Sequence, residues 1–416
     1  MPRTALLAFF LPLLLLCASP PFSPAERAAP FTFSVRALPT FRAASAAFRN
    51  VPLPDACAEL SAWIRSNGWT ADGFVLSLPA KLPSGLPEEY TLRARIVSPS
   101  PPPAPSSPRK GFSLVETKPS LLVAASGRFA LSDLRLLARS LADEAEKAHY
   151  RVSGSPALYL PAAPPAKGPF DAVLMLAASP EGRADVALYA GPGAGYASTL
   201  ALSVSLHRCG RSLSLLDYSK EGLRRLSRSA RIVAFGGGWA PAAADALGES
   251  ALAAVRSFVM KGGGFLGICA GAYLASSVVL WEGKRSSGAL SLFPGAAVGP
   301  DASLAPWPRF ALARVKLEGP LASLSPAERS VFYWGGPSFE SLPRSASVPL
   351  RYLPSGRPAA VCFPFGKGRV FLFGPHPEFD LTSNADGLAW PESTGLRDPE
   401  PDADLLSAAL SFLKGK

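Results

Sequence analysis

Cys269 stands in the run Gly263-Gly264-Phe265-Leu266-Gly267-Ile268-Cys269-Ala270-Gly271-Ala272-Tyr273-Leu274, a short apolar stretch ending in a cysteine with Gly267 and Gly271 on either side. A sharp strand-to-helix turn needs such small neighbours and lifts its central side chain clear of a sheet. A helix starting just after a cysteine also favours the thiolate, the nucleophilic form. The same glycines suit a buried cysteine in a tight turn, so this run alone leaves both readings open. His376 lies 107 residues further on, one of three histidines in the chain (His149, His207 and His376). It follows the apolar run Gly368 to Gly374 in the sequence Gly374-Pro375-His376-Pro377-Glu378. Groups just past a strand's carboxyl end are where an α/β sheet places its chemistry. Glu378 can orient the imidazole by accepting its second N–H. Cys269 as nucleophile, His376 as base and Glu378 as orienter reproduce the logic of a triad for attack on an amide or ester carbonyl. Gly236-Gly237-Gly238 follows the apolar run Ile232 to Phe235. The N–H groups of Gly237 and Gly238, with that of Ala270, are the expected oxyanion donors, the plain alternative being a flexible turn.

These residues need strand ends to stand on. From Asp185 the pattern alternates strand and helix, the mark of a parallel α/β sheet. Strands are expected at Val186 to Ala190, Leu213 to Leu216, Ile232 to Phe235 and Gly368 to Gly374, with helices at Ser198 to His207 and Ala242 to Met260. In the second helix Leu247, Leu252, Val255, Phe258 and Val259 share one face, and Lys261-Gly262 ends it. Gly191-Pro192-Gly193-Ala194-Gly195, with Asp217 about 20 residues on, approaches the dinucleotide fingerprint but misses its glycine spacing by one. A tight turn explains it equally well.

Five segments in order carry a family resemblance: Tyr189-Ala190-Gly191-Pro192-Gly193, the Gly236 loop, Gly267 to Tyr273, Tyr333-Trp334-Gly335-Gly336-Pro337, and Gly374 to Glu378. Over about 184 to 380 the chain resembles the class I glutamine amidotransferase-like superfamily and, within it, the N-terminal domains of biotin-protein ligases. The resemblance implies an α/β fold with a flavodoxin-like parallel sheet over 184–416 and a triad at Cys269, His376 and Glu378. Authentic glutamine amidotransferases resemble G-x-C-x-G-x-Q at the elbow, the glutamine helping to bind substrate. Tyr273 stands at that position here, so Tyr273 is the expected substrate contact and glutamine is not the expected substrate. No ammonia-accepting synthase segment and no biotin-ligase catalytic segment is recognisable, so biotin attachment is not implied.

Residues 31–178 contain two similar units joined by Ser98-Pro99-Ser100-Pro101-Pro102-Pro103, a stiff linker. The first runs Val35 to Pro39 into Arg42 to Ser45, a helix near Asp55 to Ser66, a break at Gly68 and Gly73, and strands ending at Tyr90 to Val97. The second runs Leu114 to Pro119 into Leu122 to Gly127, a helix from Ser132 to His149 with Ser132 as its cap, and strands Ala157 to Leu160 and Phe170 to Leu176. This makes an α+β domain of two strand–helix–strand–strand repeats. The pattern resembles the gyrase-inhibitor-like, effector-binding domains of bacterial regulators, which hold small molecules between their halves. That family often buries a carboxylate in a late strand, and Asp171-Ala172-Val173-Leu174-Met175-Leu176 has no acid in its middle, so a cationic ligand is not implied. Trp63, Trp69, Tyr90 and Tyr159 either line a pocket or are ordinary core.

Composition narrows the rest. The chain has 416 residues, 48% hydrophobic and 18% charged, which excludes disorder as its overall state. Its 44 prolines show no repeat, excluding collagen-like and mucin-like chains. The net charge of +11 is scattered singly, as at Arg36, Arg42, Arg49 and Arg65, so a nucleic-acid partner is not expected. Neither a metal nor another cofactor is expected, since the histidines are few and the five cysteines (Cys17, Cys57, Cys209, Cys269 and Cys362) form no C-x-x-C pair. Met1-Pro2-Arg3-Thr4, the apolar run Ala5 to Leu16 and the small residues Ser23-Pro24-Ala25 read as a signal peptide over 1–25, and hence as a secreted or periplasmic protein. The run is too short for a span, which needs about 20 apolar residues. Membrane association follows only if Cys17 carries a lipid, and the large Leu16 before it disfavours that. Export lets Cys57, Cys209 or Cys362 pair. Two readings of function remain: a cysteine hydrolase, or a protein that binds a small molecule and keeps the amidotransferase-like fold without turnover.

Overall fold

The computed structural model describes residues 30–79, 86–97, 104–353, 355–379 and 402–415. The expected signal segment, Cys17 and the proline linker 98–103 lie outside the described residues. The first half contains β1 (Thr32–Leu38), β2 (Arg42–Arg49), α1 (Leu53–Ser66), β3 (Thr70–Ser77), β4 (Glu89–Val97), β5 (Phe112–Glu116), β6 (Ser120–Phe129), α2 (Leu134–Lys147), β7 (Tyr150–Leu160) and β8 (Phe170–Pro180). Both helices form because apolar residues recur on one face: Leu53, Ala56, Cys57, Leu60, Trp63 and Ile64 in α1, and Leu134, Leu137, Leu141 and Ala145 in α2. Ser132 does not cap α2. It sits in a preceding 3-10 turn and donates its hydroxyl to Asp133, whose other carboxylate oxygen accepts the Ala130 N–H at 3.0 Å. The carboxylate closes the 3-10 turn, and α2 begins without a side-chain cap.

The eight strands form one antiparallel sheet in the order β1-β6-β8-β7-β3-β4-β2-β5. Each unit exchanges its first strand: β1 pairs with β6 of the second unit, and β5 pairs with β2 of the first. In a flat sheet β1 and β2 would stand about 29 Å apart, whereas the chain from Leu38 to Arg42 reaches about 14 Å. The sheet must therefore curl until its ends approach. There Thr117 N–H donates to the Phe41 carbonyl (2.9 Å) and Phe41 N–H to Thr117 Oγ1 (3.1 Å). Trp63, Trp69 and Tyr90 are buried under the helices as core, and Cys57 is a free thiol whose pKa burial pushes up to about 12.

The second half begins β9 (Ala184–Leu188), α3 (Tyr196–Arg208), β10 (Leu213–Leu215), α4 (Lys220–Ser229), β11 (Ala230–Phe235), α5 (Ala240–Met260), β12 (Gly264–Ile268) and α6 (Ala270–Ala275). Eight further strands follow, β13 (Ser276–Trp281), β14 (Lys284–Ser287), β15 (Phe293–Gly299), β16 (Ala311–Leu317), β17 (Glu328–Tyr333), β18 (Ser338–Glu340), β19 (Ser347–Tyr352) and β20 (Pro358–Phe365), of which β14-β13-β15-β18 make a separate mixed sheet. The chain then returns through β21 (Gly368–Phe373) and ends in α7 (Ala403–Lys414). The main sheet runs β10-β9-β11-β12-β21-β20-β19-β16-β17, parallel through β21 and antiparallel beyond it. It is an α/β flavodoxin-like sheet with an antiparallel extension. The strand order reverses between β9 and β11, so the loops after β9, β11, β12 and β21 meet at one edge, where α/β sheets bind ligands.

Two helices differ from the sequence expectation. Gly248 breaks α5 with φ 67° and ψ 169°, which a residue without Cβ adopts at little cost, giving two helical segments instead of one. After Cys269 the helix α6 lasts only six residues, because Ser276-Ser277-Val278-Val279-Leu280-Trp281 prefers the extended backbone of β13.

One buried ion cluster fastens α7 to the sheet. Arg329 on β17 is 1% exposed and grips Asp404 with two nitrogens at 2.7 and 3.1 Å, with Asp402 3.7 Å away. Removing the guanidinium would strand the buried Asp402 carboxylate. Arg329→Ala is expected to lower unfolding free energy by about 3 kcal/mol in urea titrations, whereas exposed Arg314→Ala should change it by less than about 1 kcal/mol.

Candidate active site

Cys269 has φ 50° and ψ −104°, the strained backbone of a nucleophile elbow. Its N–H donates to the Phe373 carbonyl on β21 at 2.9 Å, and its carbonyl accepts from the N–H groups of Ala272 and Tyr273, each at 3.0 Å. The flanking glycines are required by space: a Cβ on Gly267 would stand 2.8 Å from the Gly271 carbonyl oxygen, and one on Gly271 would overlap the backbone of Phe235. The thiol is 7% exposed, with Sγ 3.6 Å from the Trp334 carbonyl oxygen.

His376 follows β21 and is fixed by its N–H donating to the Phe332 carbonyl at 2.7 Å. The ring lies edge-on to Phe332 and near Phe379, with centroids 5.8 and 5.6 Å away. Nδ1 is 2.8 Å from Glu378 Oε1. A carboxylate only accepts, so Nδ1 carries the proton and donates. Nε2 is buried, and the Cys269 thiol, which borders the same cavity, acts on the ring. Burial disfavours the imidazolium, but the Glu378 carboxylate and then the Cys269 sulfur outweigh it, pushing the His376 pKa up to about 10.

Ser198 on α3 is a functional residue that the sequence reading missed. Its hydroxyl donates to Glu378 Oε1 at 2.6 Å and accepts the Gly237 N–H at 2.7 Å, while Ser205 Oγ donates to the Glu378 carbonyl at 3.0 Å. The available signal was the hydroxyl run Ser198, Thr199, Ser203 and Ser205 inside a helix buried from 198 to 206.

This bond corrects the expected oxyanion hole. Gly237 N–H is committed to Ser198, so Gly237 is not an available donor. Its glycine is needed for space instead, since a Cβ there would stand 2.5 Å from His376 Cε1. Ala270 opens α6, so its N–H has no helical acceptor, and it lines the site with Gly238. Tyr273 is buried, its hydroxyl donating to the Gly335 carbonyl at 3.0 Å. Gly237, Gly238, Cys269, Ala270, Tyr273 and His376 border one cavity of about 820 Å³, and Glu378 lies fully buried behind His376. The glycine loop Gly191 to Gly195 does not face a nucleotide site: Gly195 N–H donates to the Gly237 carbonyl at 2.8 Å, and Trp239 N–H to the Gly193 carbonyl at 2.7 Å, locking the two loops together. Among the described residues no cluster of three or more His, Cys, Asp or Glu could hold a metal, and no helix is long and apolar enough to cross a membrane.

Sheet order and elbow together define a class I glutamine amidotransferase-like fold. The chain belongs to the family described as "Biotin-protein ligase, N terminal", whose model matches residues 184–393. It is 31% identical over 181 residues to a biotin–protein ligase of Schizosaccharomyces pombe, covering 38% of this chain and 26% of that protein. The chain thus spans about a quarter of the length of the curated relative it matches. Among solved structures it is similar to a glutamine amidotransferase (18% identity, TM-score 0.39, covering 55% of this chain and 98% of that one). It is also similar to the EcmrR C-terminal domain (11% identity, TM-score 0.27, covering 36% and 98%).

Two measurements follow from the hydrogen-bond chain. Ser198→Ala leaves a buried N–H and a carboxylate short of a partner, and should cost about 1–3 kcal/mol of stability by chemical denaturation. Glu378→Gln removes the largest contribution that raises the His376 pKa, so the imidazole resonances in an NMR titration should shift at a lower pH than in the wild type.

Proposed function

We propose that the protein is an exported cysteine-dependent hydrolase acting on an amide or ester. The observation that carries this reading is that Glu378 Oε1 holds His376 Nδ1 at 2.8 Å while the Cys269 thiol, which borders the same cavity, acts on the imidazole. The raised His376 imidazole keeps on Nε2 the proton drawn from the Cys269 thiol, and the sulfur attacks the carbonyl carbon. The resulting oxyanion lies toward the N–H groups of Gly238 and Ala270. The imidazolium then gives its proton to the leaving nitrogen or oxygen as the C–N or C–O bond breaks, leaving a thioester. Water, deprotonated by the same imidazole, attacks the thioester, releasing the acid and restoring the thiol. Glu378 stays ionised throughout and stabilises each imidazolium.

Tyr273, where amidotransferases resemble one another in carrying glutamine, bonds to Gly335 and argues against glutamine as substrate. The apolar N-terminal run of the sequence supports export. The small-molecule reading is the outcome if the thiol proves inert.

The test is the alkylation rate of Cys269 from pH 5 to 9 in the wild type and in His376→Asn. Fast labelling at neutral pH that falls by about tenfold or more in the variant is the expected result. Slow labelling with the same profile in both proteins would overturn the hydrolase reading in favour of a binding protein.

A further inference from the structure

Four of the seven tryptophans, Trp239, Trp281, Trp307 and Trp334, border the cavity that holds Cys269. They come from four separate segments, so their convergence is a property of the fold. Trp281 is the hub, edge-on to Tyr273 (5.5 Å, 68°), Trp239 (5.9 Å, 89°) and Trp307 (5.3 Å, 78°). Trp307 stacks on Trp334 (6.3 Å, 27°), and Phe310 meets Trp334 edge-on (6.2 Å, 81°). The array is held in place: Trp334 Nε1 donates to the Pro308 carbonyl at 2.9 Å, and Gly335 leaves space that a Cβ would take from Trp307, 2.7 Å away. It also reaches the reactive atom, since the Trp334 carbonyl lies 3.6 Å from Cys269 Sγ.

Trp239, Trp307 and Trp334 are 51%, 41% and 41% exposed, three of the five exposed large apolar side chains among the described residues. Indole faces left open around a cavity of about 820 Å³ mark a ligand wall rather than unfinished core. The cavity's other groups narrow the ligand. Arg95 is ion-paired with Asp72, and the described residues lining the cavity include no Asp or Glu to pair with a cationic guest. A sugar would need fixed polar partners, but Arg95 is already bound to Asp72 and lies over Tyr196, the Ser198 hydroxyl is bonded to Gly237 and Glu378, and Ser286 and Ser287 stand on the exposed strand β14. What remains is aromatic surface suited to offset or edge-on packing of a flat ring.

We propose that the site selects carbonyl compounds bearing a large flat aromatic substituent, held by the wall of Trp239, Trp281, Trp307 and Trp334 beside Cys269. This rests on the hydrolase reading for its chemistry but not for its binding. The experiment compares alkylation of Cys269 by N-(2-naphthyl)iodoacetamide and by iodoacetamide, each rate divided by that for glutathione. In parallel, calorimetry measures binding of 2-naphthamide to Cys269→Ser. The normalised rate ratio should favour the naphthyl reagent by about tenfold or more and fall by about tenfold in Trp307→Ala or Trp239→Ala. Both replaced indoles are substantially exposed, so the variants should fold. Fast labelling by both reagents without preference, and no naphthamide binding, would overturn this proposal and leave the hydrolase standing. An inert thiol with naphthamide binding that Trp307→Ala weakens would support the aromatic site while overturning the hydrolase.

Discussion

Cys269 holds a backbone conformation that costs a non-glycine residue about 1–3 kcal/mol, and such strain persists only where the surroundings over-determine it. Here the φ of 50° is fixed from several sides. β21 accepts the Cys269 N–H through Phe373, α6 returns two N–H groups to the Cys269 carbonyl, and Gly271 N–H donates to Gly236 at the end of β11 at 3.1 Å. The space between these strands admits glycine alone at positions 267 and 271. Thiol placement is therefore a consequence of parallel-sheet register, and loops such as 374–378 need only bring their groups to a thiol that is already placed.

The imidazole depends on a different element. α3 is buried along nearly its whole length from 198 to 206 and has too few polar side chains to be a surface helix. Its hydroxyls serve two directions. Ser198 and Ser205 hold the Glu378 side chain and backbone, while Ser203 Oγ accepts the Ala37 N–H at 2.8 Å. Ala37 lies on β1, an edge strand whose outward N–H groups would otherwise face an apolar helix. One helix thus closes the edge of the first sheet and supports the carboxylate of the second. Neither role could be lost without exposing a buried polar group on the other side.

This division explains what the sequence could and could not reveal. Cys269, His376 and Glu378 were legible because local chemistry marks each of them: a glycine-flanked turn after an apolar run, a scarce histidine past a strand, and an acid two residues on. Ser198 was not, because its partner Glu378 is 180 residues away and nothing local distinguishes a bonded serine from a solvated one. Gly237 was assigned a donor role for the same reason. A glycine advertises close approach, but whether its N–H is free depends on a neighbour that only the fold supplies. The exchanged strands β1 and β5 are a global property of a curled sheet, and the tryptophan wall has no period to detect, since its members come from unrelated segments. Gly248 was a local signal that the strong apolar face of α5 concealed.

The first half bears on the site through contact rather than by pattern. Its resemblance to effector-binding domains raises the expectation of a ligand held between its own halves. Trp63, Trp69 and Tyr90 cannot line such a groove, because they are core beneath α1 and α2. Elsewhere on the same unit Tyr196 of α3 packs edge-on to Phe41 with centroids 5.4 Å apart, and the Arg95 guanidinium lies 3.9 Å over its ring. Arg95 and Val97 of β4 then continue as part of the cavity wall around Cys269. A molecule filling that cavity would touch both halves of the chain at once. Because Arg95 is anchored by Asp72 on the adjacent strand β3, any movement of the first sheet relative to α3 would carry a charged wall toward or away from the thiol. The first sheet thus supplies a fixed, ion-paired part of the wall around the thiol.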